Sequence, residues 1–398
     1  MTDDGQTRIE RLLGRFVGLS GGERVLVSVA AVGVAVVVGM LVILAAGYGA
    51  SCGTPKFSLL GVSFCYDPVS VFTVLFQGAF GNVFNIALTL QQMTLLLFTG
   101  LSFAIAFRAG LFNIGAQGQF VLGSLATTVT ILWVAPLVPD GTVGSLVLMP
   151  LGLVAGVVVG GLYGWLPGVL KARFDTNEVI STLLLNFIAT AVAYVLVERF
   201  FNDPSIQGTI TRAIPSAATF KPVVFPSNTN FALPLFLFAL AVVVGVYLLL
   251  HRTTIGYDIR ALGTQTKAAV FGGVDAESTT ILSMTLAGAV AGIGGAIYVM
   301  MVIGRWQTGT PPIGFDGIAV SVLAGNNPLG LVPSSLLFGI LESGSQAIQF
   351  NLGIPRQLVG VLRGLIILLV ATPELFRIVG RTLNRRDVID LSGGGTEP

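Results

Sequence analysis

Long apolar runs alternate with short polar joints along the chain. A helix crossing a bilayer needs about 20 apolar residues. Runs of that kind read as Arg24–Gly47, Asn82–Ala106, Gln119–Ala135, Leu146–Leu170, Glu178–Val197, Phe231–Leu250 and Thr279–Ile303. A short run, Ile318–Leu323, is followed by Leu331–Phe350 and Pro355–Ala371. The pattern predicts an all-α polytopic membrane protein of about ten transmembrane segments, one of them short or re-entrant. The organisation expected is a segment 1–23, a transmembrane block 24–375 and a tail 376–398. Within the block, 48–80 and 199–230 are outer loops and 252–278 is an inner loop.

Charge sets the orientation. With both termini cytoplasmic and the short run counted as a pass, the inner segments hold fourteen Lys and Arg residues and the outer segments six. That asymmetry follows the positive-inside rule. Dropping the short run would put the basic tail outside. The first run is too long for the core of a signal peptide and has no clear small-residue cleavage site, so it reads as a retained helix.

Composition removes other classes. Of 398 residues, 54% are hydrophobic and 10% charged, against about 25% charged in a soluble domain. Leu19–Arg24 reads LSGGER, close to the LSGGQ signature of ABC-type ATPases. Yet the chain has no Gly-Lys pair, hence no phosphate-cradling P-loop. Ser20 and Glu23 instead form an S-x-x-E capping box before the first run. The two cysteines, Cys52 and Cys65, share the first outer loop. A disulfide is chemically permitted there, and two separate thiols are the alternative. With one histidine, His251, and no C-x-x-C, no metal site and no cofactor are expected.

Small residues mark packing. Gly152, Gly156, Gly160, Gly164 and Gly168 recur every fourth position, and Gly288 and Gly292 repeat the interval. At 3.6 residues per turn they form one stripe, where backbones can approach in lipid. The stripe serves either within the subunit or between subunits. Pro167 is placed to kink the same helix.

Polar residues among apolar ones mark the chemistry. The stretch AGLFNIGAQGQF carries Asn113, Gln117 and Gln119 among glycines. It reads as an interrupted helix lining a cavity, or as a polar loop capping the third span. In FDTNEVISTLLLNFIA, Thr176 or Asn177 can cap a helix with Glu178 in its first turn. Asn186 and Thr182, four apart, share a face. Glu342 and Arg363 are ionisable groups inside spans, which a mutual pair would neutralise. In HRTTIGYDIRALGTQTKAAVFGGVDAE, Thr264 or Thr266 can cap a short helix ending at Phe271, and Gly272–Gly273 can stop it. That helix is too short to span and suits docking into a groove of a soluble partner; an ordinary structured loop is the alternative.

Three of these stretches, FRAGLFNIGAQGQF, TNEVISTLLLNFIA and RALGTQTKAAVFGGV, together with the spacing of the spans, resemble an ABC-importer permease over roughly residues 80–375. The branch is the one that also holds ribose, branched-chain amino acid and nucleoside permeases, and the closest look is to simple-sugar and nucleoside permeases. The resemblance implies a transport subunit that does no chemistry of its own. It implies ABC ATPase subunits, a second permease subunit (the same or homologous), an external substrate-binding lipoprotein and surrounding lipid, with no nucleic acid polymer. It places Arg260, Gly263, Lys267, Ala268, Ala269 and Gly273 at the joint with the ATPase. It places Asn113, Gln117, Gln119, Asn177, Glu178 and Asn186 along a path for nucleosides or simple sugars. The two-cysteine loop, Arg363 and LSGGER depart from the family pattern. A secondary transporter driven by ions would need a carboxylate in the spans, and Glu342 and Glu178 are the only candidates.

Overall fold

The computed structural model describes residues 21–50, 52–59, 61–355, 357–361, 364, 365, 367 and 368. They form two compact units, one holding the described residues up to Gly78 and from Gly344 on, the other Ala79–Ser343. Ser20 of the capping box and Arg363 of the expected ion pair lie outside the described residues.

In the first unit, α1 (Gly21–Gly49) leads into a hairpin of β1 (Phe57–Leu59) and β2 (Val62–Phe64). The strands are antiparallel, with Phe57 opposite Phe64. A Cys52–Cys65 disulfide closes the hairpin, with Cα atoms 5.8 Å apart, and the Cys65 N–H donates to Gly47 O at the end of α1. The sequence reading takes 48–80 as loop, but α2 (Pro68–Phe80) is helical. Its start follows a known grammar: Asp67 accepts from Val69 N at 3.0 Å and from the Ser70 hydroxyl, and proline occupies the first helical position. Gly344 lies against Leu75 of α2, whose carbonyl a Cβ there would meet at 2.6 Å.

The second unit contains α3 (Val83–Arg108), α4 (Ala116–Val134), α5 (Thr142–Phe174), α6 (Glu178–Leu196) and α7 (Leu233–Arg252). After α7 come two short helices, α8 (Thr254–Thr264) and α9 (Thr266–Phe271), then α10 (Ala276–Ile297), α11 (Ile313–Leu323) and the start of α12 (Leu331–Leu352). α6 and α10 both run on into π-helical turns, Val197–Phe201 and Tyr298–Ile303. Counting these extensions, six helices of the described residues are long and apolar enough to cross a membrane. They correspond to the second to seventh expected runs.

The glycine stripe of α5 lies against α10, inside the subunit. A Cβ on Gly156 would stand 2.7 Å from Gly292 O, and one on Gly160 2.5 Å from Gly288 O. Gly164 backs onto Met284 and Gly288, and Gly168 onto Ile281. At the other end Gly152 receives Ile131 and Thr127 of α4, and the Thr127 hydroxyl donates to Gly152 O at 2.8 Å. Only the absence of side chains permits so close an approach, which lets dispersion and interhelical hydrogen bonds replace the missing hydrophobic drive. α5 continues as helix through Pro150 and Pro167.

The short run is a half-helix. Gly317 of α11 packs against Thr99, nine residues before the end of α3, and the Arg108 guanidinium at that end donates to Asn326 O just past α11 at 3.0 Å. At 1.5 Å per residue, Gly317 lies about 13 Å inside the bundle, and α11, which begins four residues earlier, starts about 20 Å inside. The non-helical segment 304–312 leads into it. The short apolar run expected at Ile318–Leu323 is helical and starts five residues earlier, at Ile313.

Candidate functional site

α3 stops because Gly110 takes φ +77°, a left-handed conformation that glycine adopts without strain. Residues 111–115 are not helical, and α4 restarts at Ala116. Asn113, fully buried in this break, pairs with Gln119 through both amides: Asn113 Nδ2 donates to Gln119 Oε1 at 3.1 Å and Gln119 Nε2 to Asn113 Oδ1 at 3.3 Å. Asn113 Oδ1 also accepts from Gly115 N.

Two more amides fasten the break to its neighbours. Asn186 of α6 accepts from Gly118 N at 2.8 Å and donates to Ile114 O at 2.9 Å. The Thr182 hydroxyl, one turn earlier, accepts from Ile114 N at 3.2 Å. Gln117 grips the start of the half-helix, accepting from Gly314 N at 2.7 Å and donating to Pro311 O at 3.0 Å. The non-helical residues 111–115 fit both an interrupted helix and a polar loop capping the third span, and all four amides spend their hydrogen bonds on protein. They weld an irregular backbone that hydrocarbon would not tolerate unpaired. Exchanging Asn186 for leucine orphans the buried Gly118 N–H, at about 1–3 kcal/mol, and the part-buried Ile114 C=O. A clear fall in the melting temperature of the purified protein is expected; an unchanged one would deny Asn186 this role.

Asn177 caps α6, accepting from Val179 N at 3.0 Å and Ile180 N at 3.2 Å. Glu178 lies 3.5 Å from Lys171, which also reaches the exposed Asp175 at 3.0 Å.

The 252–278 loop folds as two helices. Neither threonine caps α9, contrary to the sequence reading. Thr264 and Thr266 donate back to Arg260 O at 2.8 Å and Leu262 O at 3.3 Å, carbonyls of the preceding helix, and Gln265 takes the N-cap position without a side-chain bond. Gly273, at φ +89°, follows the end of α9 as expected. Ala269 is buried, whereas Lys267, Ala268 and Val270 are exposed and Phe271 is 94% exposed. Tyr257 and Ile255 of α8 are also exposed. Phe271 was legible as the one aromatic of the short helix.

Gly263 joins this loop to the break. A Cβ there would stand 2.8 Å from Gly110 N and 2.9 Å from the Ala109 carbonyl carbon. Beside this contact lies a cavity of about 460 Å³ lined by Lys171, Glu178, Gln265 and Thr280, among others. Arg173 and Glu277 pair at 2.7 Å between the end of α5 and the start of α10. Asp275 caps α10, and bonds from Ser278 hold its carboxyl below the usual range.

Residues 85–371 match the family described as branched-chain amino acid transport system / permease component. The chain belongs to this family: it is a multi-pass permease subunit of an ABC transporter in the plasma membrane, a transport component rather than an enzyme. It is 33% identical over 81% of its length to the nucleoside ABC transporter permease protein NupB of Lactococcus lactis subsp. cremoris, covering 88% of that protein. It is 31% identical over 81% to the guanosine ABC transporter permease protein NupP of Bacillus subtilis, covering 90% of it. It is 30% identical over 84% to the glucose ABC transporter permease protein TsgB13 of Haloferax volcanii, covering 91% of it. A solved metal-chelate type ABC transporter in an inward-facing conformation aligns over 87% of this chain and 97% of its own, at 16% identity and a TM-score of 0.40.

Proposed function

We propose that the chain forms the path of an importer for nucleosides, driven by ATP that separate subunits hydrolyse. Likeness to a nucleoside and a guanosine permease, at 33% and 31% identity, carries the substrate. A simple sugar is the second reading, favoured by the 30% identity to a glucose permease. Two ATPases, a second permease and an external binding lipoprotein complete the assembly. Proteoliposomes holding that assembly test the reading with labelled guanosine and glucose. ATP-dependent guanosine uptake supports it, glucose uptake alone moves it to the sugar, and uptake that an ion gradient drives without ATP sinks it.

In this reading α9 is the coupling helix. Lys267, Ala268 and Phe271 meet the ATPase; Ala269, Gly263 and Gly273 hold the helix in place, and Arg260 braces α8 through its bond to Gly256 O. Asn113, Gln117, Gln119 and Asn186 border the path by fixing the broken segments around it, with Asn177 and Glu178 at its inner end.

Ten passes with cytoplasmic termini suit the same reading, the block 24–375 lying between cytoplasmic segments 1–23 and 376–398. Three observations support it: the excess of basic residues on one side, the half-pass of α11, and a disulfide in the 48–80 segment, which suits an oxidising exterior. On whole cells, an impermeant reductant followed by an impermeant maleimide should label Cys52 and Cys65. Labelling only after lysis would reverse the orientation.

A further inference from the structure

The non-helical part of the broken pass is polar where the bilayer is not. From Ile303 the chain runs as Gly-Arg-Trp-Gln-Thr-Gly-Thr-Pro-Pro before α11 begins. Its upper part is pinned by Ile210 opposite Gln307 and by Thr308 N donating to Thr209 O at 3.2 Å. Its lower part reaches Gln117 through Pro311 O, and Gly317, six residues on, stands at Thr99, about 13 Å from one end of α3 and about 24 Å from the other. Residues 309–312 therefore lie at hydrocarbon depth.

Three features show what they face. Gly309, Pro311 and Pro312 are exposed, and Thr310 is half-buried. Among the described residues none accepts from the N–H of Gly309 or Thr310. Trp306, in the same segment and 3% exposed, buries its indole N–H without a protein acceptor. Irregular backbone with unpaired N–H groups does not face lipid, where each costs several kcal/mol; it is found only against protein or water. Phe315, 37% exposed, follows in the first turn of the half-helix.

We infer that residues 309–315 line the aqueous solute path, with Phe315 as its aromatic contact. The unpaired N–H groups of Gly309 and Thr310 offer donors to a hydroxylated, uncharged solute, and the Phe315 ring offers a face to a planar heterocycle. That last step rests on the nucleoside reading; the water-lined path does not.

The native chain supplies the test, because its only two cysteines are joined. Thr310→Cys or Phe315→Cys is then the single free thiol of this chain, assembled in proteoliposomes with partner subunits freed of reactive cysteines. A charged methanethiosulfonate reacts through the thiolate, so each should react at least about tenfold faster than Leu237→Cys on exposed α7. Modification should stop uptake, and turnover with ATP should change the reaction rate. Rates equal to the Leu237→Cys control would overturn the path, as would modification that leaves uptake intact. Phe315→Leu tests the aromatic contact: guanosine uptake should fall about tenfold with glucose uptake, if any, unchanged, a loss the size of one stacking contact. Equal losses for both solutes would overturn the stacking role. Fast thiol reaction in a transporter that carries only glucose would leave the path standing and remove the nucleoside reading alone.

Discussion

Gly292→Leu should leave almost no folded permease in the membrane. A Cβ at this position would stand 2.9 Å from the Gly156 carbonyl carbon and 3.0 Å from Gly160 Cα, even before the rest of the side chain is added. All of these atoms are backbone, held in a long helix that meets α10 at several further glycines. Relief requires separating the two helices over several turns. Overpacking that a side chain can absorb costs about 1–3 kcal/mol; here the contact itself is lost, and more than about 4 kcal/mol is expected. Stability near 5–15 kcal/mol leaves little after that. The comparison is Gly245→Leu in α7, where a Cβ meets nothing within 4 Å. Size-exclusion profiles of fluorescent fusions should show a monodisperse peak for Gly245→Leu and aggregate or nothing for Gly292→Leu. Equal peaks would mean that the α5–α10 contact does not hold the fold.

Phe271→Asp should abolish uptake while the permease itself folds normally. The ring is 94% exposed, so the fold loses no packing when it goes. If the ATPase receives it in a pocket, truncation costs what central interface anchors cost, about 2–4 kcal/mol, and a buried carboxylate adds to that. Affinity for the ATPase should drop by about 30-fold to 1000-fold. Co-purification of the ATPase, with uptake measured on the same membranes, decides the matter. Retained ATPase and normal uptake would refute docking through α9. Ala269 is a poorer probe: it is buried, and an aspartate there would disturb the loop before any partner met it.

Most of the helices were legible because length and apolar content are what a bilayer demands. The runs Asn82–Ala106 and Phe231–Leu250 reappear as α3 and α7 with ends displaced by two residues or fewer. The glycine interval announced close packing, but a stripe has no partner until the fold supplies α10. What the sequence could not give is depth and direction. Asn113, Gln117 and Asn186 read as polar groups in apolar surroundings, which fits a solute path and a structural weld equally well. Only the positions of Ile114, Gly118, Pro311 and Gly314 show where their hydrogen bonds go. The α2 helix, with Asp67-Pro68 before its apolar run, is too short to stand out by the length a bilayer demands. Thr264 and Thr266 do not cap α9 for a physical reason: a hydroxyl one turn beyond a helical carbonyl bonds back to it as readily as it caps the next helix.

The seam between α5 and α10 bears on how the protein can move. Where backbone touches backbone there is no rotamer to switch, so the interface has no soft intermediate setting. Sliding one helix along the other would bring glycine opposite glycine again only after four residues, a step of about 6 Å. A transport cycle built on smaller displacements must carry both helices together. The pair is then the stationary frame of the machine, and spin labels placed on α5 and α10 should report one unchanging separation through every nucleotide state.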